Sequence, residues 1–327
     1  MNPTTESNND ETRVAVVQAA PVLFDTERTL QKLADFAADA ARQGAQLVVF
    51  PEAFVGGYLK GHDFGVTLGQ RTAEGREVFR QLHDSAMDIP GAATEQIGEI
   101  ARTCGVHLVV GVVERDGGTL YCSSLTFGPD GQLLGLHRKV MPTAMERVIW
   151  GSGDASTLPV VQTDVGRIGT VICWENYMPL LRMAMYGQGV ELYCAITVDD
   201  RETWQSTVRH IALEGRCFVL SACQYLERSQ LPDPSLADGM PASPDVLIAG
   251  GSCIVSPLGE VLAGPKLDGE GILTATLDRS DLVRAKFDFD VTGHYARPEI
   301  FSLQVYSQPL KSVTFNATST SDETLNR

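Results

Sequence analysis

Three short apolar runs in this chain each stop at a residue with reactive chemistry, and that pattern restricts the fold more than any other. Leu47-Val48-Val49-Phe50-Pro51 runs into Glu52. Leu133-Leu134-Gly135-Leu136-His137-Arg138 runs into Lys139. Gly169-Thr170-Val171-Ile172 runs into Cys173, followed at once by Trp174-Glu175-Asn176. Short apolar runs of this kind read as buried strands. Strand ends are where α/β proteins place their chemistry. A thiol beside a base and a cation can form a nucleophilic thiolate at neutral pH.

The rest of the pattern alternates in the same way. Residues 14–20 read as a strand. Leu30, Leu33, Phe36 and Ala40 recur at helical spacing, with Gly44 placed to close that helix. A second helix is predicted over 92–103, closed by Gly105. Strands follow over 106–114 and 120–127, and the turn Gly128-Pro129-Asp130-Gly131 leads into the strand that delivers Lys139. In the second half, 168–172 is a strand ending at Cys173, and a helix start is expected directly after it, with Pro179 in the helix's first turn. Strands are predicted over 191–196, 217–223 and 251–255, and a helix over 202–214. Ser256-Pro257-Leu258-Gly259 repeats the Pro-x-Gly turn of the first half, a hint of pseudo-twofold duplication. Residues 227–246, rich in Pro, Asp and Ser, read as a long surface excursion.

Composition removes several function classes. Twenty-six Lys and Arg against 41 Asp and Glu leave a net charge of −15, the wrong sign for a nucleic-acid footprint or an anionic membrane surface. The first 13 residues are polar and acidic, unlike a signal peptide, and no apolar run approaches the ~20 residues of a spanning helix. The seven cysteines are scattered without a C-x-x-C pair, so a reduced, cytoplasmic protein is expected. The six histidines form no metal-ligand spacing, so no metal site is expected. There is no G-x-S-x-G elbow, no P-loop and no strand-linked G-x-G-x-x-G.

Taken singly, the reactive residues have ordinary readings. Free cysteines are mostly small buried hydrophobes, and Cys104, Cys122, Cys194, Cys217, Cys223 and Cys253 fit that description. Glu52 alone reads as a capping or solvated carboxylate, Lys139 as a solubilising lysine, Glu146 as a loop residue. His62 and His294 read as loop or packing histidines. Cys173 differs, because a helix start would supply orphan N–H groups that stabilise a thiolate or an oxyanion. The N–H of Trp174 is then a candidate oxyanion donor.

Longer motifs tip these odds. They are Phe50-Pro51-Glu52-Ala53-Phe54 with Gly56-Gly57-Tyr58, then His137-Arg138-Lys139-Val140-Met141-Pro142-Thr143, then Glu146-Arg147-Val148-Ile149-Trp150-Gly151. Cys173-Trp174-Glu175-Asn176-Tyr177-Met178-Pro179-Leu180 follows, and near the end Phe287-Asp288-Phe289-Asp290-Val291 with Gly293-His294-Tyr295 and Arg297-Pro298-Glu299. With these motifs, from Val14 to about Val305, the chain resembles the nitrilase superfamily, on its nitrilase branch near plant and bacterial nitrilases. Two departures stand out. Leu59-Lys60 replaces the usual Pro-Arg or Pro-Lys, and Gly151-Ser152-Gly153-Asp154-Ala155 replaces Gly-Gln-Gly-Asp-Gly. The first lies beside the expected pocket wall and bears on substrate range.

The resemblance implies a four-layer α-β-β-α sandwich. It implies one carbon-nitrogen hydrolase domain over 12–306, between a disordered lead (1–11) and a C-terminal tail (307–327) at an assembly interface. It implies a Glu52-Lys139-Cys173 triad with Glu146 as an additional glutamate. Trp174, Tyr58 and His294 are expected at the oxyanion site or pocket. The implied reaction is hydrolysis of an organic nitrile to acid and ammonia through a thioimidate and a thioester on Cys173, without a cofactor. The implied partner is another copy of the chain, in dimers that extend into spirals. An amidase or N-carbamoyl amide hydrolase with the same triad is the alternative, followed by a non-enzymatic assembly protein on the same fold.

Overall fold

Val14 and Val16 face one side of the Glu11–Gln18 strand, Ala15 and Val17 the other, and all four are fully buried. A strand covered on both faces belongs inside a layered structure. The computed structural model describes residues 10–243, 245–310 and 313 and places this strand in the first of two large sheets. At the centre of that sheet Glu11–Gln18, Leu47–Val49 and His107–Asp116 run parallel. Thr119–Phe127 and Leu133–Arg138 extend one side antiparallel, and Gly271–Asp278 closes the other.

The second sheet repeats this order. Gly166–Ile172, Leu192–Thr197 and Phe218–Cys223 are its parallel centre. Ser252–Val255 and Val261–Lys266 extend one side antiparallel, and Val160–Thr163 closes the other. The duplication hinted at by the Pro-x-Gly turns therefore covers whole sheets. One asymmetry remains: the closing strand of the first sheet comes from the far end of the fold.

Three apolar layers define the stacking. Val14, Val16, Leu47 and Val49 share a core with Ile168, Leu192, Ile196 and Leu220 of the other sheet. On the outer face of the first sheet, Ala15, Val17 and Val48 pack with Leu30 and Leu33 of the Thr26–Arg42 helix and Ile97 of the Ala92–Cys104 helix. On the outer face of the second, Tyr193, Ala195 and Val219 pack with Leu181 and Met185 of the Pro179–Gly187 helix. Trp204, Val208 and Ile211 of the Glu202–Gly215 helix complete that layer. The result is the expected α-β-β-α sandwich.

Several expectations need adjustment. Glu11, placed in the lead, already belongs to the first strand; residues 1–9 lie outside the described residues. Of the tail, only 307–310 and 313 are described. No α-helix starts at Cys173. A tight 3₁₀ turn, Cys173–Tyr177, intervenes, and the helix begins at Pro179. A single tight turn aligns few peptide dipoles, so the helix-start argument for the thiol loses its basis. Two helices were not predicted, Ala73–Ser85 and Ser280–Lys286. Of large apolar side chains, the first buries only Leu82 and the second only Leu282, which leaves little periodic signal. Among the described residues no helix is long and apolar enough to cross a membrane.

Candidate active site

Four chain segments from two sheets converge on one buried point. The backbone turns sharply after Glu52, with Ala53 in the left-handed region at φ 49°. Gly111 on the adjacent strand makes room: a Cβ there would stand 2.2 Å from the Pro51 carbonyl oxygen and 2.6 Å from Glu52 Cα. Val198 N–H donates to Glu52 Oε2 at 3.1 Å, and Gln224 Nε2 donates to the Glu52 carbonyl at 2.7 Å. Lys139 follows the Leu133–Arg138 strand, its N–H donating to Cys122 O at 2.8 Å. Its Nζ donates to Glu52 Oε1 at 2.7 Å and to Glu146 Oε2 at 2.8 Å. Glu146 sits on the 3₁₀ turn Ala144–Val148 and also accepts from Thr143 N–H at 2.6 Å and Tyr58 OH at 2.9 Å. One ammonium thus lies between two buried carboxylates.

Cys173 arrives from the second sheet, at the end of Gly166–Ile172, with φ 52°. A non-glycine residue in that region is strained, and such strain concentrates at functional sites. Its thiol is near enough to Glu52 for each group to perturb the other electrostatically. On its other side the Thr197 hydroxyl lies 3.3 Å from Sγ, while Asp199 N–H donates to the same hydroxyl oxygen at 2.9 Å.

Burial sets the protonation pattern. It raises the Glu52 carboxyl above its ordinary value, against the pull of Lys139 and with help from Glu146. It works to lower the Lys139 ammonium, but Glu52, with Glu146, outweighs it and holds Lys139 charged. Burial, then Glu52, pushes the Cys173 thiol up. The resting thiol is therefore neutral rather than a preformed thiolate, and an adjacent buried carboxylate is placed to take its proton.

A second buried carboxylate ties the two strand ends together. Glu175 Oε1 accepts from Val140 N–H at 2.6 Å, and Oε2 from Ile172 N–H at 2.9 Å. Those amides adjoin Lys139 and Cys173. His137 Nε2 meets Glu175 Oε2 at 2.9 Å, and its Nδ1 meets Thr157 O at 2.6 Å. Both ring nitrogens face acceptors, so both carry protons and His137 is an imidazolium. Burial opposes that charge, but Glu175 outweighs it and raises the His137 pKa.

Cys173 opens onto a cavity of about 210 Å³ lined by Tyr58, Lys60, Glu146, Trp174, Val198 and Asp199, among others. A neighbouring cavity of about 470 Å³ shares Tyr58, Lys60, Thr143 and Glu146 with it, and Leu59, Phe64, Leu82, Ile149 and Trp150 give it apolar walls. The Leu59-Lys60 departure thus lies in the walls; Lys60 Nζ is held 2.9 Å from Asp200 Oδ1. Trp174 contributes its indole, whose Nε1 donates to Asp199 Oδ2 at 2.9 Å. His294 is not brought to this cavity: it is exposed in a turn, its ring against Tyr295. Among the described residues no cluster of His, Cys, Asp and Glu has the arrangement to hold a metal ion.

Residues 13–287 match the family model described as carbon-nitrogen hydrolase. The chain belongs to the carbon-nitrogen hydrolase family. Among relatives of this hydrolase is an "Aliphatic nitrilase" of Sinorhizobium fredii (strain HH103), 56% identical over 93% of this chain and 99% of that one. A "Bifunctional nitrilase/nitrile hydratase NIT4A" of Lupinus angustifolius is 53% identical over 99% of this chain and 94% of its own length. Among solved structures, an amidase from Nesterenkonia sp. superposes with a TM-score of 0.64 at 21% identity, covering 86% of this chain and 96% of that one. That last likeness speaks for the fold alone.

Sequence patterns missed part of this carbon-nitrogen hydrolase site. Thr197, Val198 and Asp199 follow a fourth strand end, Leu192–Thr197, yet carry no thiol, amine or isolated carboxylate to attract notice. The strand-end rule that marks Glu52, Lys139 and Cys173 marks Thr197 equally. Glu175 and His137 stood inside quoted motifs, but only the structure pairs them.

Proposed function

We propose that the chain is a nitrilase that converts an organic nitrile and water to a carboxylic acid and ammonia, with Cys173 as nucleophile. One observation carries the reading: a single ammonium, Lys139, bridges Glu52 and Glu146 beside a buried thiol, in a chain more than half identical to a curated nitrilase.

In this reading each step falls to one of the side chains described above. Glu52 takes the Cys173 proton as sulfur attacks the nitrile carbon, and returns it to the nitrogen, giving a thioimidate. Lys139 balances the charge that builds on the nitrogen. Water adds to the thioimidate, the nitrogen is protonated, the C–N bond breaks and ammonia leaves a thioester. A second water, deprotonated by Glu52 and positioned by Glu146, releases the acid and restores the thiol. Glu146, anchored by Tyr58 and Thr143, also keeps Lys139 from collapsing wholly onto Glu52. The reaction needs no cofactor.

The same reading takes residues 12–306 as one domain and places the protein in the cytoplasm as a homo-oligomer built from dimers. In support, residues 301–310 are exposed and outside regular secondary structure, presenting Phe301, Tyr306 and Leu310, which another copy can cover. Steady-state assays of a nitrile panel beside the matching amides, following ammonia, acid and amide together, test the function. Nitriles turned over faster than their amides are the expected result. Faster amide hydrolysis would move the chain to the amidases.

A further inference from the structure

We propose that Thr197 is a catalytic residue that governs how the reaction divides between acid and amide, by stabilising the Cys173 sulfur as a departing thiolate. The proposal rests on the nitrilase reading above.

The hydroxyl's direction follows from its neighbours. Thr197 is fully buried on the strand beside Cys173. A hydroxyl has one proton and two lone pairs. The Asp199 N–H, at 2.9 Å, occupies a lone pair. In the reaction proposed above the Cys173 thiol gives its own proton to Glu52. The proton of Thr197 is therefore left for Sγ, 3.3 Å away. A neutral thiol or a thioether sulfur is a weak acceptor, whereas a thiolate is a strong one. In a buried site that difference is enlarged. Thr197 thus favours the states in which sulfur carries charge, and does little for the covalent adducts, where it does not.

Two exits follow from the tetrahedral adduct formed when water adds to the thioimidate. Its carbon carries sulfur, nitrogen, oxygen and the substrate's own carbon. In one exit the nitrogen is protonated, the C–N bond breaks with its electron pair on nitrogen, and ammonia leaves a thioester. In the other the C–S bond breaks with its pair on sulfur. The carbonyl forms, the amide is released, and the thiolate recovers its proton from Glu52. Only the second exit makes a thiolate at the branch point. Lys139 and Glu146 border the same centre, but Lys139 is already bonded to both carboxylates, while the Thr197 hydroxyl is aimed at sulfur alone. Cleavage of the later thioester also expels a thiolate, so Thr197 speeds release of the acid as well.

The test compares Thr197→Val, which keeps the shape and removes the donor, with Thr197→Ser, which restores it. A hydrogen bond to a charged group supports an effect of about tenfold. On one nitrile, Thr197→Val is expected to lower the amide-to-acid ratio about tenfold, and Thr197→Ser to bring it back towards wild type. Alkylation of Cys173 by iodoacetamide, followed against pH, is expected to move to higher pH in the valine variant. Glu52, Lys139 and Glu146, which face the sulfur, and Cys223 on the neighbouring strand are unchanged in both variants. A packing role alone would lower stability and leave the ratio and the alkylation profile where they were. A ratio that Thr197→Val leaves unmoved, or a wild type that releases no amide, overturns the proposal while nitrile turnover continues. A wild type that turns over no nitrile at all overturns the nitrilase reading instead.

Discussion

Each reactive side chain in this site is defined by what surrounds it more than by its own chemistry. Cys173 is one of seven free cysteines, and six of the seven are buried. Burial raises the thiol pKa of the other buried five as well, so low resting reactivity is common to all of them. Only Cys173 combines a strained backbone, an adjacent base and an opening to a cavity. Cys173→Ala is expected to lower turnover by at least ~10⁴-fold with the fold intact, because the covalent route is lost. Alanine at Cys104, Cys194, Cys217 or Cys253 is expected to leave activity in any variant that folds; an essential thiol among these four would end the Cys173 mechanism. Cys122 is a separate case, since its Sγ lies 3.5 Å from Glu52 Oε1. The pH profile tests Glu52. Its protonated form has no use for the thiol proton, so kcat/KM falls as pH drops through its pKa. Burial raises that pKa, and the acid limb is expected above the ordinary glutamate value of ~4.3. The limb belongs to the coupled cluster rather than to Glu52 alone. A limb at or below that value would show that the carboxylate is not held in a dry site.

At the level of elements, the question is what keeps two separate strand ends in register. Glu175 is the physical answer, since one carboxylate takes the amides next to Lys139 and Cys173 together. Misplacing a reacting group by about 1 Å costs about 10²-fold. Glu175→Gln, which turns one acceptor into a donor facing N–H groups, is expected to cut kcat by about that factor per alkylatable Cys173. Lower melting temperature with unchanged kcat would make Glu175 a brace for the fold only. His137 adds a pH term of definite sign. Its folded pKa lies above the unfolded value of ~6.5, so the stability it contributes is fully present below that pH and is lost as pH rises through the folded pKa. Glu175 and Lys139 are the charges that face it. Unfolding by urea across that range is expected to show the loss in wild type and not in His137→Gln. These pairings explain what the sequence left hidden. Strand ends at Glu52, Lys139 and Cys173 were legible because apolar runs stop there. The parallel strands were legible too, as continuous apolar runs, to within a few residues. The Ala73–Ser85 helix was not, because Leu82 is its only large buried apolar side chain. Thr197 was not, because a threonine at a strand end has nothing unusual until a sulfur is seen beside it.

The whole molecule is two copies of one sheet order set face to face, with the site on the seam. Glu52 and Lys139 come from one sheet, Cys173 and Thr197 from the other. The described part of the tail leaves this body exposed, with Leu310 N–H reaching Asp154 Oδ2 at 2.9 Å. Removing the residues after Val305 is expected to shift the assembly to smaller species with little effect on the fold, since those residues add almost nothing to the core. Light scattering with an unchanged size distribution would take the tail out of the assembly. The closing strand of the first sheet has a consequence for how such a molecule is made. Gly271–Asp278 pairs with Glu11–Gln18 along eight consecutive positions, so the first strand waits for almost the last. While the chain is still emerging from the ribosome, Glu52 and Lys139 are synthesised well before their sheet has its edge, and Cys173 before its own sheet has a middle. A nascent chain therefore carries Glu52, Lys139 and Cys173 before the first sheet can close, and the complete arrangement needs residues up to Asp278.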